Sequence, residues 1–589
     1  MKTMLKSIFK SAALWVAAAV SFTACEVDTT TVMFEDDHTF AEPGDTVFSM
    51  LGILAQVQEV AERNVLLGEL RGDLVAPNPD YASMMRGTKY AAWLDLANFE
   101  NLEDTTFNRY RDYYAIVNNC NFYLDRADAT MERGGEPVFL KEYAAVSAYR
   151  AWAYLQLALI YGEVPFYTEP LLAYSDIERV MNDASNRKGL EEICTYFIDD
   201  LQPYVDVPHP GYGIYFSGSS CFLPVRLLLG DLYLWRGSKT GSAADYAMAA
   251  QEYRDYLFEN QEATTPNRNV VYTTDAFDNV ENTWSGVLTR EALSDVPYAA
   301  EAIDGKISTQ LGAFSYFEGS AALENLVDNS YYCFVAYTED DGTLGGDTDE
   351  PDDEPSGLSR FEGLVDASAY YPSTGGNPVY YSYIGVEGTP QYMPGDLRFY
   401  SATASEATGL MPDKYYTGSD VVTYRTGAVY LRLAEAINRA GYPLTGFAVL
   451  KYGLSRGNLI KYDANGEYAR LMASGYTFYD FDDNKANIGI HARGCGNAEM
   501  DTLHYSLPAL PTREDSILKV EEMICDEMAL ETAYEGYRFF DLMRMSFSRR
   551  DPSFLARKVA RRNSPDNPDN ALLQKLSDEA NWYLPMVEN

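Results

Sequence analysis

Apolar positions recur every three to four residues over long stretches of this chain, the spacing that puts them on one side of an α-helix. The pattern begins near Phe48 and runs through "LGILAQVQEVAERNVLLGEL" (51–70), then reappears in "TTFNRYRDYYAIVNNCNFYLDRA" (105–127). It is clearest in "KEYAAVSAYRAWAYLQLALIYG" (141–162). There Val146, Tyr149, Ala153, Leu157 and Ile160 share one face, and Ala145, Ala148 and Ala151 leave room for a close neighbour. Gly162 and Pro165 predict its end, since glycine favours the position after a helix and proline cannot continue one. "LPVRLLLGDLYLWRG" (223–237) and "AADYAMAAQEYRDYLFEN" (243–260) predict a helix pair across a short Gly/Ser turn. "TGAVYLRLAEAINRAGYP" (426–443) predicts another helix, with Val429, Leu433, Ala436 and Ala440 on one face, ended by Gly441 and Pro443.

Helix pairs of this kind, built on small and aromatic residues, resemble tetratricopeptide units, although the period is irregular. The expected fold is mainly α: a helix-pair, superhelical scaffold over about 46–264 and 426–589 within a single domain, 46–589. Between about 265 and 425 Gly, Ser, Asn, Thr and Tyr dominate, with short alternating runs such as "NPVYYSYIGV" (377–386). That composition predicts a loop-rich insertion with a few short strands, carried on the helical scaffold. "RGDLVAPNPDYASMMRGTK" (71–89), with its Gly, Pro and Asn, reads as a loop.

The first residues read as a targeting segment. Lys2, Lys6 and Lys10 make a basic start, and "SAALWVAAAVSF" (11–22) an apolar run shorter than the ~20 residues of a spanning helix. "FTAC" (22–25) resembles a bacterial lipobox, Phe22 standing where leucine is usual. The resemblance implies a signal peptide over 1–24 and a lipid on Cys25, followed by a tether to about residue 45. The acidic Glu26 and Asp28 resemble the signal that sends some lipoproteins to the outer face of the outer membrane. The alternative is cleavage after Ala24 that leaves Cys25 a free thiol.

Charge narrows the partners. With 46 Lys+Arg against 87 Asp+Glu the formal net charge is −41, a field that repels nucleic acid. The run "TEDDGTLGGDTDEPDDEP" (338–355) could supply oxygen ligands to Ca²⁺ but lacks EF-hand spacing, and reads as a solvated loop. The six cysteines besides Cys25 are scattered without a C-x-x-C pair, which argues against a zinc site or a disulfide framework and predicts buried small hydrophobes, most of them in helices. The 47 tyrosines suit either binding surfaces or helix seams.

Three segments resemble the SusD/RagB-like family of outer-membrane nutrient-binding lipoproteins: "AYRAWAYLQLALIYGEVPFYTEP" (148–170), "YRTGAVYLRLAEAINRAGYP" (424–443) and "EEMICDEMALETAYEGYRFFDLMRM" (521–545). "PGDLRF" (394–399) is similar to the family's Asp-x-Arg element, and "WYLPM" (582–586) to its short closing strand. The resemblance implies a non-catalytic surface protein, without cofactor, that captures oligosaccharides or in some members peptides. It also implies a partner, a SusC-like TonB-dependent transporter, on which the protein acts as a lid.

The residues themselves are compatible with that. No H-E-x-x-H, G-x-S-x-G or Walker-type loop is present, and the 4 histidines lack partners at ligand spacing. A glycoside hydrolase needs only two carboxylates, so carboxylate abundance alone keeps that alternative open. Arg538 and Asp541, three apart, are close enough to pair on one helical turn. A sugar site needs aromatic faces beside planar polar groups, and the 71–100 stretch offers Asp73, Asn78, Asp80, Tyr81, Arg86 and Trp93. Trp284, in the polar "NVENTWSGV" (279–287), is a further candidate platform.

Overall fold

The computed structural model describes residues 45–88, 90–210, 221–260, 290–298, 311–336, 389–406, 409–415, 420–482 and 485–586, with short pieces at 40, 287, 365–366 and 380–381. Cys25, Trp284 and the acidic run 338–355 lie outside the described residues.

The helical periods become helices Asp45–Glu69, Tyr110–Arg126, Leu140–Tyr161, Leu190–Leu201, Val225–Thr240 and Ala243–Asn260, then Thr426–Arg439, Pro443–Lys451, Arg513–Thr532 and Arg538–Arg549. Neighbours in the chain pack together: Tyr110–Arg126 on Leu140–Tyr161, Leu190–Leu201 on Val225–Thr240, and Val225–Thr240 on Ala243–Asn260. Ala243–Asn260 then packs on Thr426–Arg439, so the helical path leaves near residue 260 and resumes at 426.

Leu140–Tyr161 departs from its expected single apolar face. Val146, Tyr149, Ala153, Leu157 and Ile160 are buried, but so are Ala148, Arg150, Trp152, Tyr154, Leu155 and Leu159. An all-round burial of this kind marks a central helix. It ends as predicted at Gly162, whose φ of +78° suits a residue without Cβ and whose N–H reaches the Ala158 carbonyl at 3.0 Å. Many tyrosines line helix seams, apolar ring inside and hydroxyl on a backbone carbonyl. Tyr114 Oη donates to Pro165 O (2.7 Å) and Tyr154 Oη to Tyr167 O (2.6 Å), fastening the 163–171 loop to its helices. Tyr253 approaches Gly230 so closely that a Cβ there would lie 2.6 Å from its ring.

Among the described residues the strands form seven two-stranded antiparallel pairs. The longest joins Tyr331–Ala336 to Thr389–Pro394, and another joins Ala292–Val296 to Val421–Arg425. Of "NPVYYSYIGV", Tyr380–Tyr381 pairs with Val365–Asp366, and the rest is not described.

Three local expectations are corrected. The 71–89 loop is built instead from strand Val75–Pro77 and helix Pro79–Met85, with Ala91–Ala97 following. Its Gly, Pro and Asn start and cap elements rather than interrupting them. "WYLPM" is not a strand: a 3₁₀ turn, Glu579–Trp582, leads into irregular chain that makes one backbone bond, Leu584 N–H to Ile160 O at 2.8 Å. Arg538 and Asp541 do not pair with each other. Arg538 takes Asp73, and Asp541 takes Arg544 at 2.8 Å.

The stretch 582–585 is a latch between distant parts of the chain. Trp582 is wholly buried and donates its indole N–H to Leu576 O at 2.8 Å. Its carbonyl accepts from Arg71 Nη1 (2.8 Å), and Pro585 O accepts from Asn108 Nδ2 (2.6 Å). Burial lowers the Arg71 guanidinium to about 9, and it lies 4.1 Å over the Phe539 ring.

Cys120, Cys194, Cys221, Cys333, Cys495 and Cys525 are buried free thiols, four of them in helices. Burial pushes Cys120 up to about 12, leaving it inert as a nucleophile. Among the described residues no helix is long and apolar enough to cross a membrane.

Candidate functional site

Strand Val75–Pro77 lies beside Phe317–Gly319, with Val75 opposite Gly319 and Pro77 opposite Phe317. That pairing draws a segment of the insertion against the 71–100 region. Asn78 is the joint between them. Its N–H donates to Tyr316 O (3.1 Å), and its side chain caps helix Pro79–Met85 by accepting from Asp80 N–H (3.0 Å). Its amide donates to Glu318 Oε2 (3.2 Å).

Three half-buried tyrosines converge above this joint. Tyr316 meets Tyr81 edge-on (5.8 Å between centroids, 88°) and Tyr90 at 4.7 Å. Tyr90 rests on Trp93 (5.0 Å) and Trp93 on Phe107 (5.4 Å). Trp93, 5% exposed, and Phe107 belong to the core, so the ridge of phenol rings stands on a rigid aromatic base. Exposed Asp80 and Arg86 flank it. Burial raises the Glu318 carboxyl above its ordinary range, with the charges of Glu324 and Asp80 adding to the effect. The ridge therefore carries flat apolar faces, phenol and carboxyl groups, and a negative rim.

The structure brings Asn78, Tyr81, Arg86 and Trp93 into this one region, but in different roles: a cap, a ring of the ridge, an exposed flank and the base. Asp73 lies apart, buried against Arg538 (Nε–Oδ1 2.5 Å, Nη2–Oδ2 3.0 Å). Burial opposes its charge, yet the Arg538 guanidinium holds the carboxyl below its usual range. Tyr90, Tyr316 and Glu318 were not singled out by sequence reasoning. Tyr90 lay one residue past the quoted turn-rich stretch, and Tyr316 reaches the ridge only through a strand pair formed across 240 residues.

The densest cluster of ionisable groups lies elsewhere. Arg398 bonds Asp396 (2.7 Å), Glu527 (3.0 Å) and Glu531 (3.2 Å). Arg425 bonds Glu291 (3.0 Å), Glu531 (2.7 Å) and Glu535 (2.7 Å), Lys414 bonds Glu535 (2.5 Å), and Arg493 bonds Glu531 (2.7 Å) and Glu291. All are almost fully buried. Burial works against the Glu531 charge, but Arg493, Arg425 and Arg398 outweigh it and hold the carboxyl far below its usual range. Acid–base chemistry wants a group that titrates near the working pH. A carboxylate locked as an anion between three guanidinium groups acts instead as a weld between the Arg513–Thr532 helix and the insertion. Close packing follows: a Cβ on Gly427 would lie 2.2 Å from Arg493 Nη1, and one on Gly494 2.2 Å from Asp396 Oδ1. Among the described residues no three His, Cys, Asp or Glu side chains are grouped to hold a metal ion.

A SusD family model matches residues 388–589, a span that includes four of the five stretches resembling that family. No curated protein sequence matches the chain. Similar solved structures include a SusD superfamily protein from Bacteroides thetaiotaomicron VPI-5482, 13% identical over 86% of this chain and 89% of its own, with a TM-score of 0.50. Another, from Bacteroides fragilis NCTC 9343, is 18% identical over 93% of this chain and 96% of its own, with a TM-score of 0.48. A third is surface glycan-binding protein A from Bacteroides fluxus, 14% identical over 88% and 91%, with a TM-score of 0.46. At such identities the likeness is one of fold. The SusD family's sequence pattern covers residues 388–589, and over most of the chain the likeness to the SusD superfamily structure from Bacteroides thetaiotaomicron is one of fold.

Proposed function

We propose that this protein captures an oligosaccharide at the cell surface and passes it to a TonB-dependent transporter. The observation that carries this reading is the Tyr81–Tyr90–Tyr316 ridge. Half-exposed phenol rings on a rigid base supply stacking faces for pyranose C–H surfaces at small cost in side-chain entropy. Asp80, Arg86 and Glu318 supply hydrogen-bonding groups for hydroxyls, Asn78 fixes the register of the two segments, and Trp93 supports Tyr90 from below. The carboxylates on the rim favour neutral glycans over uronates or sulfated chains. Trp284, in the same insertion, is a second platform in this reading. A lipid on Cys25 holds the protein at the outer face of the outer membrane, and a SusC-like transporter is the partner.

Affinity electrophoresis against a polysaccharide panel, with released sugars measured in parallel, tests the reading. Retardation without product is the expected result. Steady release of oligosaccharides overturns it in favour of a hydrolase, and binding of peptides but no glycan replaces the ligand class.

A further inference from the structure

A second cavity, sharing no residue with the ridge, opens among the helices Pro443–Lys451, Arg456–Tyr462 and Glu467–Ser474 and the 502–507 segment. Its volume is about 260 Å³. Phe447 and Ala448 help form an apolar floor. Tyr452, Tyr462 and Tyr468 line it together with Asn458, Thr502 and Ser506. The Tyr452 and Tyr462 rings are stacked almost parallel, 3.7 Å apart at 9°.

The charged groups around this cavity already have partners within the protein. Lys451 Nζ donates to Asp501 O (2.7 Å) and Tyr505 O (2.6 Å). Lys461 Nζ pairs with Glu499 (2.6 Å). Asp463 accepts from the N–H groups of Glu467 (2.9 Å) and Tyr468 (3.3 Å). Glu467 accepts from the Thr445 hydroxyl (2.7 Å) and N–H (2.8 Å). The ring faces are also engaged by protein cations, Lys451 at 5.6 Å from the Tyr452 centroid and Lys461 at 4.7 Å from that of Tyr462. A cationic ligand would compete with these lysines for the rings, and an anionic one would face Asp463 and Glu467. The Tyr462 hydroxyl is taken by Glu499 and the Tyr468 hydroxyl accepts from Arg456 Nε (3.1 Å), so what the wall offers a ligand is neutral: the Tyr452, Thr502 and Ser506 hydroxyls, which both donate and accept, beside apolar carbon.

We propose that this cavity is a separate binding site for a single neutral sugar ring. A pyranose presents the same mixture, hydroxyls around its edge and C–H groups on its faces. The volume lies just below the ~300 Å³ at which drug-sized sites begin, room for one ring rather than a chain. The proposal does not rest on the ridge as a glycan site, since the two sites are built from different residues.

Saturation-transfer NMR on the full chain tests it, with D-glucose, D-galactose, D-mannose and N-acetyl-D-glucosamine as probes at millimolar concentration. Ala464 lies exposed at the cavity wall, so Ala464→Trp fills the opening without disturbing the core. Transfer to at least one sugar is expected in the wild type. It should fall at least tenfold in Ala464→Trp and in Tyr462→Ala, and persist in Tyr90→Ala. Absence of transfer to all four sugars overturns the proposal, as does transfer that survives Ala464→Trp. Transfer lost in Tyr90→Ala also overturns it, because it assigns the signal to the ridge. Polysaccharide retardation lost in Tyr90→Ala while the monosaccharide signal remains separates the fate of the ridge from that of the cavity.

Discussion

Arg538 and Asp73 form a two-pronged ion pair across 465 residues, Nε to Oδ1 at 2.5 Å and Nη2 to Oδ2 at 3.0 Å, with both side chains out of contact with water. Arg538 Nη1 also donates to Cys525 O (2.7 Å), so one guanidinium ties the first helix exit to the Arg513–Thr532 helix. Asp73→Asn leaves a buried cation without its counter-charge and should cost about 3–5 kcal/mol of stability. Urea denaturation reads the cost directly. A near-wild-type midpoint combined with lost glycan binding would instead make Asp73 a ligand contact.

Glu69 carries a pH dependence of definite sign. Burial pushes its carboxyl from 4.5 up to about 7, only partly offset by the N–H groups of Tyr534 and Gly536. The folded protein thus holds this proton more tightly than the unfolded chain. The stability it contributes is complete below about pH 4.5 and gone above about pH 7, a loss of roughly 3 kcal/mol. Glu69→Gln should flatten the decline in urea midpoint between pH 5 and pH 8. An unchanged slope in the variant would exclude Glu69 as its source.

The buried weld has the opposite sign. Asp396, Glu527 and Glu531 are held below their usual range by guanidinium or imidazole partners despite burial, so their contribution is present above the unfolded carboxylate value and lost as pH falls. Glu531→Gln should destabilise by about 3–5 kcal/mol, whereas Lys461→Ala, which breaks a pair exposed to solvent, should cost under about 1 kcal/mol. Comparable thermal shifts for the two variants would contradict this difference in burial.

On the ridge, Tyr316→Ala and Tyr90→Ala should each weaken polysaccharide binding about tenfold, ~1.4 kcal/mol. Tyr81→Phe, which keeps the ring and loses the hydroxyl, should retain most of it if stacking dominates. Affinity gels give the ratio, and full retention by Tyr90→Ala would remove the ridge from the ligand site.

The helical scaffold was legible because its signal is local: Val146, Tyr149, Ala153, Leu157 and Ile160 are neighbours both in sequence spacing and on the helix. The candidate site was legible only as a region. Asn78, Tyr81, Arg86 and Trp93 share a short stretch, but which ring faces solvent depends on Tyr316, delivered by a three-residue strand pair too short to leave a period. Asp73 was misplaced for the same reason, since its partner lies at the other end of the chain. Arg538 and Asp541 suit an i,i+3 pair by spacing, yet Arg538 meets Asp73 from a distant segment, and Asp541 is left to Arg544 on its own helix. Local spacing states what can pair, and long-range packing decides what does.

The latch at 582–585 bears on when the protein can finish folding. Arg71 leaves the first long helix with a guanidinium that burial penalises, and one of its two backbone acceptors is the carbonyl of Trp582. Asn108 and Ile160 wait on Pro585 and Leu584 in the same way. These early helices therefore complete their hydrogen bonds only when residues 582–585 reach them. Removing residues 582–585 thus leaves a buried guanidinium, an amide and a helix-end carbonyl each short of a hydrogen-bond partner, at three separate places in the early helices.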